Sequence, residues 1–211
     1  MPLGGEYSIL EIILKQLARA GFSRATLAVN HLSHLIMSYF GNGSHVGISL
    51  DYSLETEPLS TIGPLTLIQD LPDHFLVMNG DILCDLDYAN FFQSHLSEQC
   101  DVSVSVCRRE VKIDFGVLEY GADRRLSAFR EKPLYSFDVS MGIYCISRRV
   151  IQSLPKGKAY GFDQLMLDSL KGAYSVTVRP FSGYWLDIGR PDDYEYADQN
   201  FAELAERLGI R

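Results

Sequence analysis

Cysteine is scarce in this chain, and no two cysteines are paired. Four occur in 211 residues (Cys84, Cys100, Cys107 and Cys145), and none stands in a C-x-x-C spacing. Thiols spread singly over a mid-sized chain read as reduced, mostly buried residues of a cytoplasmic protein. No activating base stands near any of them, which argues against a cysteine nucleophile. No apolar run approaches the ~20 residues of a membrane span. No basic segment leads into an apolar core at the start, so no signal peptide is in view. Positive charge is also short: 19 Lys and Arg stand against 27 Asp and Glu, a net charge of −8. A nucleic-acid surface needs a basic stripe, so neither nucleic acid nor membrane is expected as a partner. A small cationic pocket for phosphates stays open. Internal repeats, low-complexity stretches and linkers are missing too, so residues 1–211 are read as one domain.

What is present alternates between helix and strand. Ser8-Ile9-Leu10-Glu11 has the form of a capping box, with Ser8 as N-cap and Glu11 reaching back. Ile9, Ile13, Leu14 and Leu17 then follow at helical spacing up to Gly21. Strands are expected at 25–29, 48–54 and 75–78, with helices at 31–40 and 64–69. Short alternating units of this kind point to an α/β fold with a doubly wound, mostly parallel sheet. The second half changes character. Residues 102–106 alternate cleanly, 115–119 and 126–130 flank the Gly121-Ala122-Asp123 turn as a hairpin, and further strands are expected at 139–146 and 175–179. A helix is expected at 163–170. Pro191 opens a last helix, with Tyr194, Ala197, Phe201, Leu204 and Leu208 as its buried stripe.

The most informative punctuation lies at His74-Phe75-Leu76-Val77-Met78, an apolar run that stops at Asn79-Gly80-Asp81. Open α/β sheets bind ligands at the carboxyl ends of their strands. Gly80 allows close backbone approach, and Asp81 offers a hard oxygen suited to Mg²⁺. Taken alone, Asp81 reads better as a turn cap. Asp85-Leu86-Asp87 has the D-x-D form of metal-dependent glycosyltransferases, but reads better as a helix start. His31 and His34 stand three apart on an expected helix, which suits a metal in principle. With no third ligand evident, a solvated face is the simpler reading.

Several segments, taken together and in order, resemble the sugar-nucleotide pyrophosphorylases, or sugar-1-phosphate nucleotidylyltransferases. Pro2-Leu3-Gly4-Gly5 with Ser8-Ile9-Leu10-Glu11 is similar to the family's P-[VL]-G-G-x-P-I-L-E segment. Residues 55–65 (ETEPLSTIGPL) resemble its E-x-x-P-L-G-T-A-G-x-L loop, and Asn79-Gly80-Asp81 its metal-binding strand end. Asp114-Phe115-Gly116-Val117, Glu131-Lys132-Pro133, Gly142-Ile143-Tyr144 and Trp185-Leu186-Asp187-Ile188-Gly189 resemble Y-G-V, E-K-P, G-[IV]-Y and W-x-D-[IT]-G. Each motif is short; seven in register are specific.

The resemblance implies a Rossmann-like nucleotidyltransferase fold with a small antiparallel sugar-binding part, the nucleotide lying on the N-terminal half. The implied reaction joins an NTP to a sugar-1-phosphate, giving NDP-sugar and pyrophosphate. By the same resemblance Asp81 and Asp187 would hold Mg²⁺, and Lys132 would act as a point charge on the sugar phosphate. Glu131 would accept from sugar hydroxyls, and Gly116 and Gly142 would leave room for the ring. Thr61 and Gly63 would border the nucleotide, beside Asn79 and Gly80. Members often assemble as homo-oligomers. Against this stand plainer readings: Asp187 as a turn residue before Gly189, and Glu131-Lys132 as a solvated pair worth little.

Three departures from the family pattern stand out. Ser60 and Ile62 replace its usual glycine and alanine, and Ser140-Met141 stands where many members have Asn-Ala. The family also opens with a strand and a G-G-x-G-T-R-L phosphate loop, whereas this sequence opens at Met1-Pro2-Leu3-Gly4-Gly5. The difference is about 25–30 residues, one strand plus one loop. A doubly wound sheet without a central strand would expose two edges. Three outcomes are then expected: the strand exists in a longer protein, another strand fills the gap, or the sheet closes. An alternative to catalysis is a binding or regulatory module of the same fold.

Overall fold

The computed structural model describes residues 2–210. Helix α1 (Ile9–Arg19) begins as expected, with Ser8 Oγ accepting from the Glu11 backbone N–H at 3.2 Å. The reciprocal half of the capping box is absent. Glu11 instead pairs with Lys15 at 3.1 Å and accepts from the Tyr39 hydroxyl at 3.1 Å. Strands β1 (Arg24–Val29) and β2 (Ser49–Leu54) pair in parallel across helix α2 (Ser33–Phe40). That helix starts two residues later than the sequence suggests, which leaves His31 in the turn before it and dissolves the His31–His34 spacing. The expected helix at 64–69 is a 3₁₀ turn, Gly63–Leu67.

Strand β3 (His74–Met78) leads through Asn79-Gly80-Asp81 into β4 (Ile82–Cys84), and α3 (Tyr88–Glu98) follows. The D-x-D segment starts that helix: Asp87 is the N-cap and accepts from Asn90 N–H at 2.9 Å. Then come β5 (Val102–Lys112), the hairpin β6 (Val117–Tyr120) and β7 (Leu126–Arg130), and β8 (Leu134–Ser147). Helices α4 (Arg148–Gln152) and α5 (Phe162–Leu170), strands β9 (Val176–Phe181) and β10 (Trp185–Asp187), and helices α6 (Pro191–Gln199) and α7 (Phe201–Arg207) complete the order. The expected last helix is therefore two, divided at Asn200, although Ala197, Phe201, Leu204 and Leu208 are buried as one stripe.

The expectation of a doubly wound, mostly parallel sheet is corrected. Among the described residues only β1–β2 and β5–β9 run parallel, while β3–β8, β5–β8, β4–β10 and β6–β7 are antiparallel. The reason is β8. Its 14 residues run between β3 and β5 and against both, in a four-stranded sheet ordered β3-β8-β5-β9. The fold is a mixed α/β one with small, mostly antiparallel sheets.

Both faces of this sheet are covered. Cys145, Ile143, Leu76 and Met78 pack with α1 and α3, whereas Val104, Tyr144, Phe75 and Val77 pack with the 3₁₀ turn and α5. A third cluster seals Leu3 and Ile12 under α6 and α7. A buried carboxylate ties the far edge together. Asp101 accepts from the Ser175 backbone N–H at 2.8 Å and its hydroxyl at 2.9 Å, and is paired with Arg149. Burial pushes the Asp101 carboxyl up, but the bonds from Arg149 and Ser175 outweigh it and hold the group down at about 2. All four cysteines are free and buried. Burial raises the Cys84, Cys107 and Cys145 thiols, which keeps them protonated.

The β1–β2 pair does not join the larger sheet. A trough of about 1330 Å³ separates β1 from β3, so the sheet has not closed up. No helix among the described residues is long and apolar enough to cross a membrane.

Candidate functional site

The site is organised by a bulge in β8. Val104 pairs with Tyr144 and Val106 with Ser140, so Ser105 alone opposes Met141-Gly142-Ile143. Bulges bend a strand and end a ladder locally. Here the β3–β8 ladder ends at Met78↔Ile143, with one further bond from Asn79 N–H to the Gly142 carbonyl at 3.0 Å. Gly142 adopts φ +74°, the left-handed region that favours glycine. A Cβ there would lie 2.7 Å from Ile82 Cδ1 and 2.8 Å from Asn79 Nδ2. Gly142 thus permits close approach of Asn79 and the start of β4.

Released from the ladder, Asn79-Gly80-Asp81 turns outward. Strand β10 returns beside β4 with Asp187 opposite Ile82, and the Ile188 N–H donates to the Asp81 carbonyl at 3.0 Å. Asp81 and Asp187, 106 positions apart in sequence, therefore stand side by side on the surface. Burial, and then the charge of Asp187, raises the Asp81 carboxyl above the usual carboxylate range. A carboxylate whose ionisation is made costly by a neighbouring charge is relieved by a cation beside it. Among the described residues no group of three or more His, Cys, Asp or Glu could hold a metal. A pair suits Mg²⁺, which takes one or two protein carboxylates and completes its octahedron with water and phosphate oxygens.

Two neighbours were not legible in the sequence. The Trp185 indole N–H donates to the Met141 carbonyl at 3.0 Å, fixing β10 against the bulge. The Arg109 guanidinium lies 4.9 Å from the centre of the Trp185 ring. It brings a cation to a wall that the sequence leaves acidic. No local motif marks Arg109, since only the β5–β8 and β8–β10 contacts carry it there.

The remaining candidates separate into two further groups. Gly116 lies against Phe129 and Glu131 in the hairpin region: an added Cβ would fall 2.7 Å from the Phe129 ring and 3.2 Å from Glu131 Oε2. Lys132, exposed and at φ +43°, follows in the turn into β8 and makes no ion pair among the described residues. No hydrogen bond or ion pair joins Glu131 or Lys132 to the Asp81–Asp187 pair among the described residues. Thr61 is exposed and lines the trough together with Asn79 and Gly80. Gly63 is buried: its N–H donates to the Tyr160 carbonyl at 3.0 Å, and a Cβ would lie 2.5 Å from the Lys158 carbonyl. Gly63 thus packs the loop against residues 158–160. Ile62 is fully buried as well and meets the core, away from the open trough. Asp85 is taken up structurally, accepting from Tyr184 N–H at 2.6 Å and Arg207 Nε at 2.8 Å.

Comparison with known proteins agrees with this architecture. The chain is 28% identical over 198 residues to D-glycero-alpha-D-manno-heptose 1-phosphate guanylyltransferase of Aneurinibacillus thermoaerophilus, covering 90% of this chain and 83% of that protein. It is 28% identical over 188 residues to the mannose-1-phosphate guanylyltransferase catalytic subunit beta of Drosophila pseudoobscura pseudoobscura. That match covers 86% of this chain, which spans 50% of the length of the relative. The crystal structure of HddC from Yersinia pseudotuberculosis complexed with GMP-PN matches with a TM-score of 0.69 and 26% identity, over 92% of this chain and 86% of that one. A chain from Bacillus anthracis, 20% identical, shares the fold with a TM-score of 0.72. The model of the nucleotidyl transferase family matches residues 1–203, and the chain belongs to that family.

Proposed function

We propose that this chain carries the catalytic centre of a sugar-1-phosphate nucleotidyltransferase, with a guanosine triphosphate and a manno-configured sugar-1-phosphate as substrates. The observation that carries the reading is the placement of Asp81 beside Asp187 by the β4–β10 pair, directly after Gly80, which lines the trough. The names of the relatives support the choice of base and sugar.

In the reaction a phosphate oxygen of the sugar-1-phosphate attacks the α-phosphorus of the NTP in line. One P–O bond forms, the α–β P–O bond breaks, and pyrophosphate leaves. Such chemistry needs positioning and charge neutralisation more than covalent help. Asp81 and Asp187 would hold Mg²⁺, which would supply positive charge to offset that of the reacting phosphates. Lys132 would place a point charge on the sugar phosphate. Glu131 would accept hydrogen bonds from the sugar hydroxyls, with the ring lying near the backbone of Gly116 and Gly142. Asn79, Gly80 and Thr61 would border the nucleotide.

The test is pyrophosphate release with Mg²⁺, GTP and a panel of sugar-1-phosphates, comparing the 211-residue chain with its Asp187→Ala variant. Turnover that disappears in the variant supports the reading. A second reading, a sugar-phosphate or nucleotide-binding module without catalysis, is favoured by the open trough. Equal absence of turnover in both proteins, with GTP binding retained, would establish it instead.

A further inference from the structure

We infer that Arg109 is a second phosphate-binding cation of the candidate site, which grips the phosphate of the sugar-1-phosphate from the side of the carboxylates away from the nucleotide. The inference rests on the proposed transferase reading and deepens it. Three features of Arg109 lead there.

The first is how it is held. The Trp185 ring is fixed by its N–H bond to the Met141 carbonyl, and the Arg109 guanidinium lies over that ring at 4.9 Å from its centre. Cys107, two residues earlier and so on the same face of β5, belongs to the core cluster against which Trp185 packs. Arg109 therefore leans on the ring from a strand that is itself anchored. A guanidinium resting on an aromatic face keeps its N–H donors at its rim, open to a forked acceptor. Less side-chain freedom is then left to lose when a ligand arrives.

The second is that it has no carboxylate. On the neighbouring stretch of chain Lys112 pairs with Asp114 at 3.2 Å, Arg125 with Asp123 at 3.7 Å and Arg130 with Glu119 at 2.6 Å. Arg109 is exposed, and among the described residues its guanidinium makes no ion pair or hydrogen bond. In a chain with 27 acidic residues against 19 basic ones, a stacked arginine left unpaired beside two carboxylates is unusual company for them.

The third is where it stands. Trp185 and Asp187 alternate onto one face of β10, about 7 Å apart along the strand. The guanidinium over the ring is thus one side-chain spacing from the carboxylate pair. Neither Arg109 nor Trp185 lines the trough, whereas Thr61, Asn79 and Gly80 do. From Arg109 the chain runs on instead to Gly116, on the sugar side of the proposed site. A phosphate monoester is mostly a dianion at neutral pH, its second pKa being about 6. Asp81 and Asp187 with a divalent ion between them sum to no net charge, and Lys132 answers only one of the two phosphate charges. Arg109 supplies the other, with a forked geometry that a lysine lacks.

The experiment is calorimetric titration of the 211-residue chain with α-mannose-1-phosphate and, separately, with GTP and Mg²⁺, in the parent, Arg109→Met and Arg109→Lys proteins. Methionine keeps an apolar stem on the ring and drops the charge. The expected result is mannose-1-phosphate affinity about tenfold or more weaker in Arg109→Met and partly recovered in Arg109→Lys, with GTP affinity within about twofold throughout. Unchanged mannose-1-phosphate affinity in Arg109→Met would overturn the inference and leave the transferase reading standing. Equal weakening of both ligands would make Arg109 a brace for Trp185 and overturn it as well. Failure of the parent chain to bind mannose-1-phosphate would overturn the transferase reading and this inference with it. None of these readouts depends on turnover.

Discussion

Asp81 carries the sharpest expectation at the scale of single residues. Burial and the Asp187 charge raise its carboxyl, so the folded chain binds this proton more tightly than the unfolded one. The contribution to stability is then present at low pH and lost as pH rises through the raised value. Asp187→Asn removes one of the two causes. It should lower the Asp81 titration midpoint in a carboxyl NMR titration and stabilise the metal-free chain at neutral pH by at most about 1 kcal/mol, because both groups face solvent. Asp101 has the opposite sign. Its carboxyl is held at about 2, so the stabilisation is complete above the ordinary aspartate range and fades as pH falls from about 4 toward 2. Asp101→Ala should cost about 2–3 kcal/mol in urea unfolding and flatten that acid limb. Gly142→Ala places a side chain at φ +74° against Ile82 and Asn79. A loss of about 1–3 kcal/mol is expected, with weakened binding at the site.

Among the secondary-structure elements, strand β8 explains most of what the sequence concealed. The cap at Ser8, the 126–130 arm of the hairpin and the helix at 163–170 were legible because each carries a local signal: a capping hydroxyl, a turn flanked by alternation, an apolar period. The parallel β1–α2–β2 unit was legible for the same reason. The three-residue strands β4 and β10 were not, since three residues cannot display a period. Yet those two strands place Asp81 beside Asp187. The extent of β8 was also hidden, because its first residues, Leu134–Asp138, alternate weakly and are largely exposed. The mostly parallel reading came from the alternation of helix and strand in the first half, which carries no sign that β8 runs against both β3 and β5. At this scale Asp87 belongs to α3 as its cap. Asp87→Ala should therefore cost about 1 kcal/mol of stability and leave Mg²⁺ affinity unchanged in a calorimetric titration.

Viewed as a whole, the molecule is held by three core clusters, while its two carboxylates wait at a junction between elements remote in sequence. Metal binding there should act as a folding ligand. At three times its dissociation constant Mg²⁺ should add about 0.8 kcal/mol, raising the thermal midpoint by about 2–3 °C; in Asp187→Ala the increment should vanish. The same junction offers an optical readout that requires no label. Trp185 is the sole tryptophan of the chain, and its indole is held between the bulge carbonyl of Met141 and the guanidinium of Arg109. Every photon emitted by tryptophan therefore originates within a few residues of Asp187. Intrinsic fluorescence becomes a spectroscopic gauge of this one locality, able to register a sugar phosphate or a nucleotide arriving there without interference from the rest of the protein.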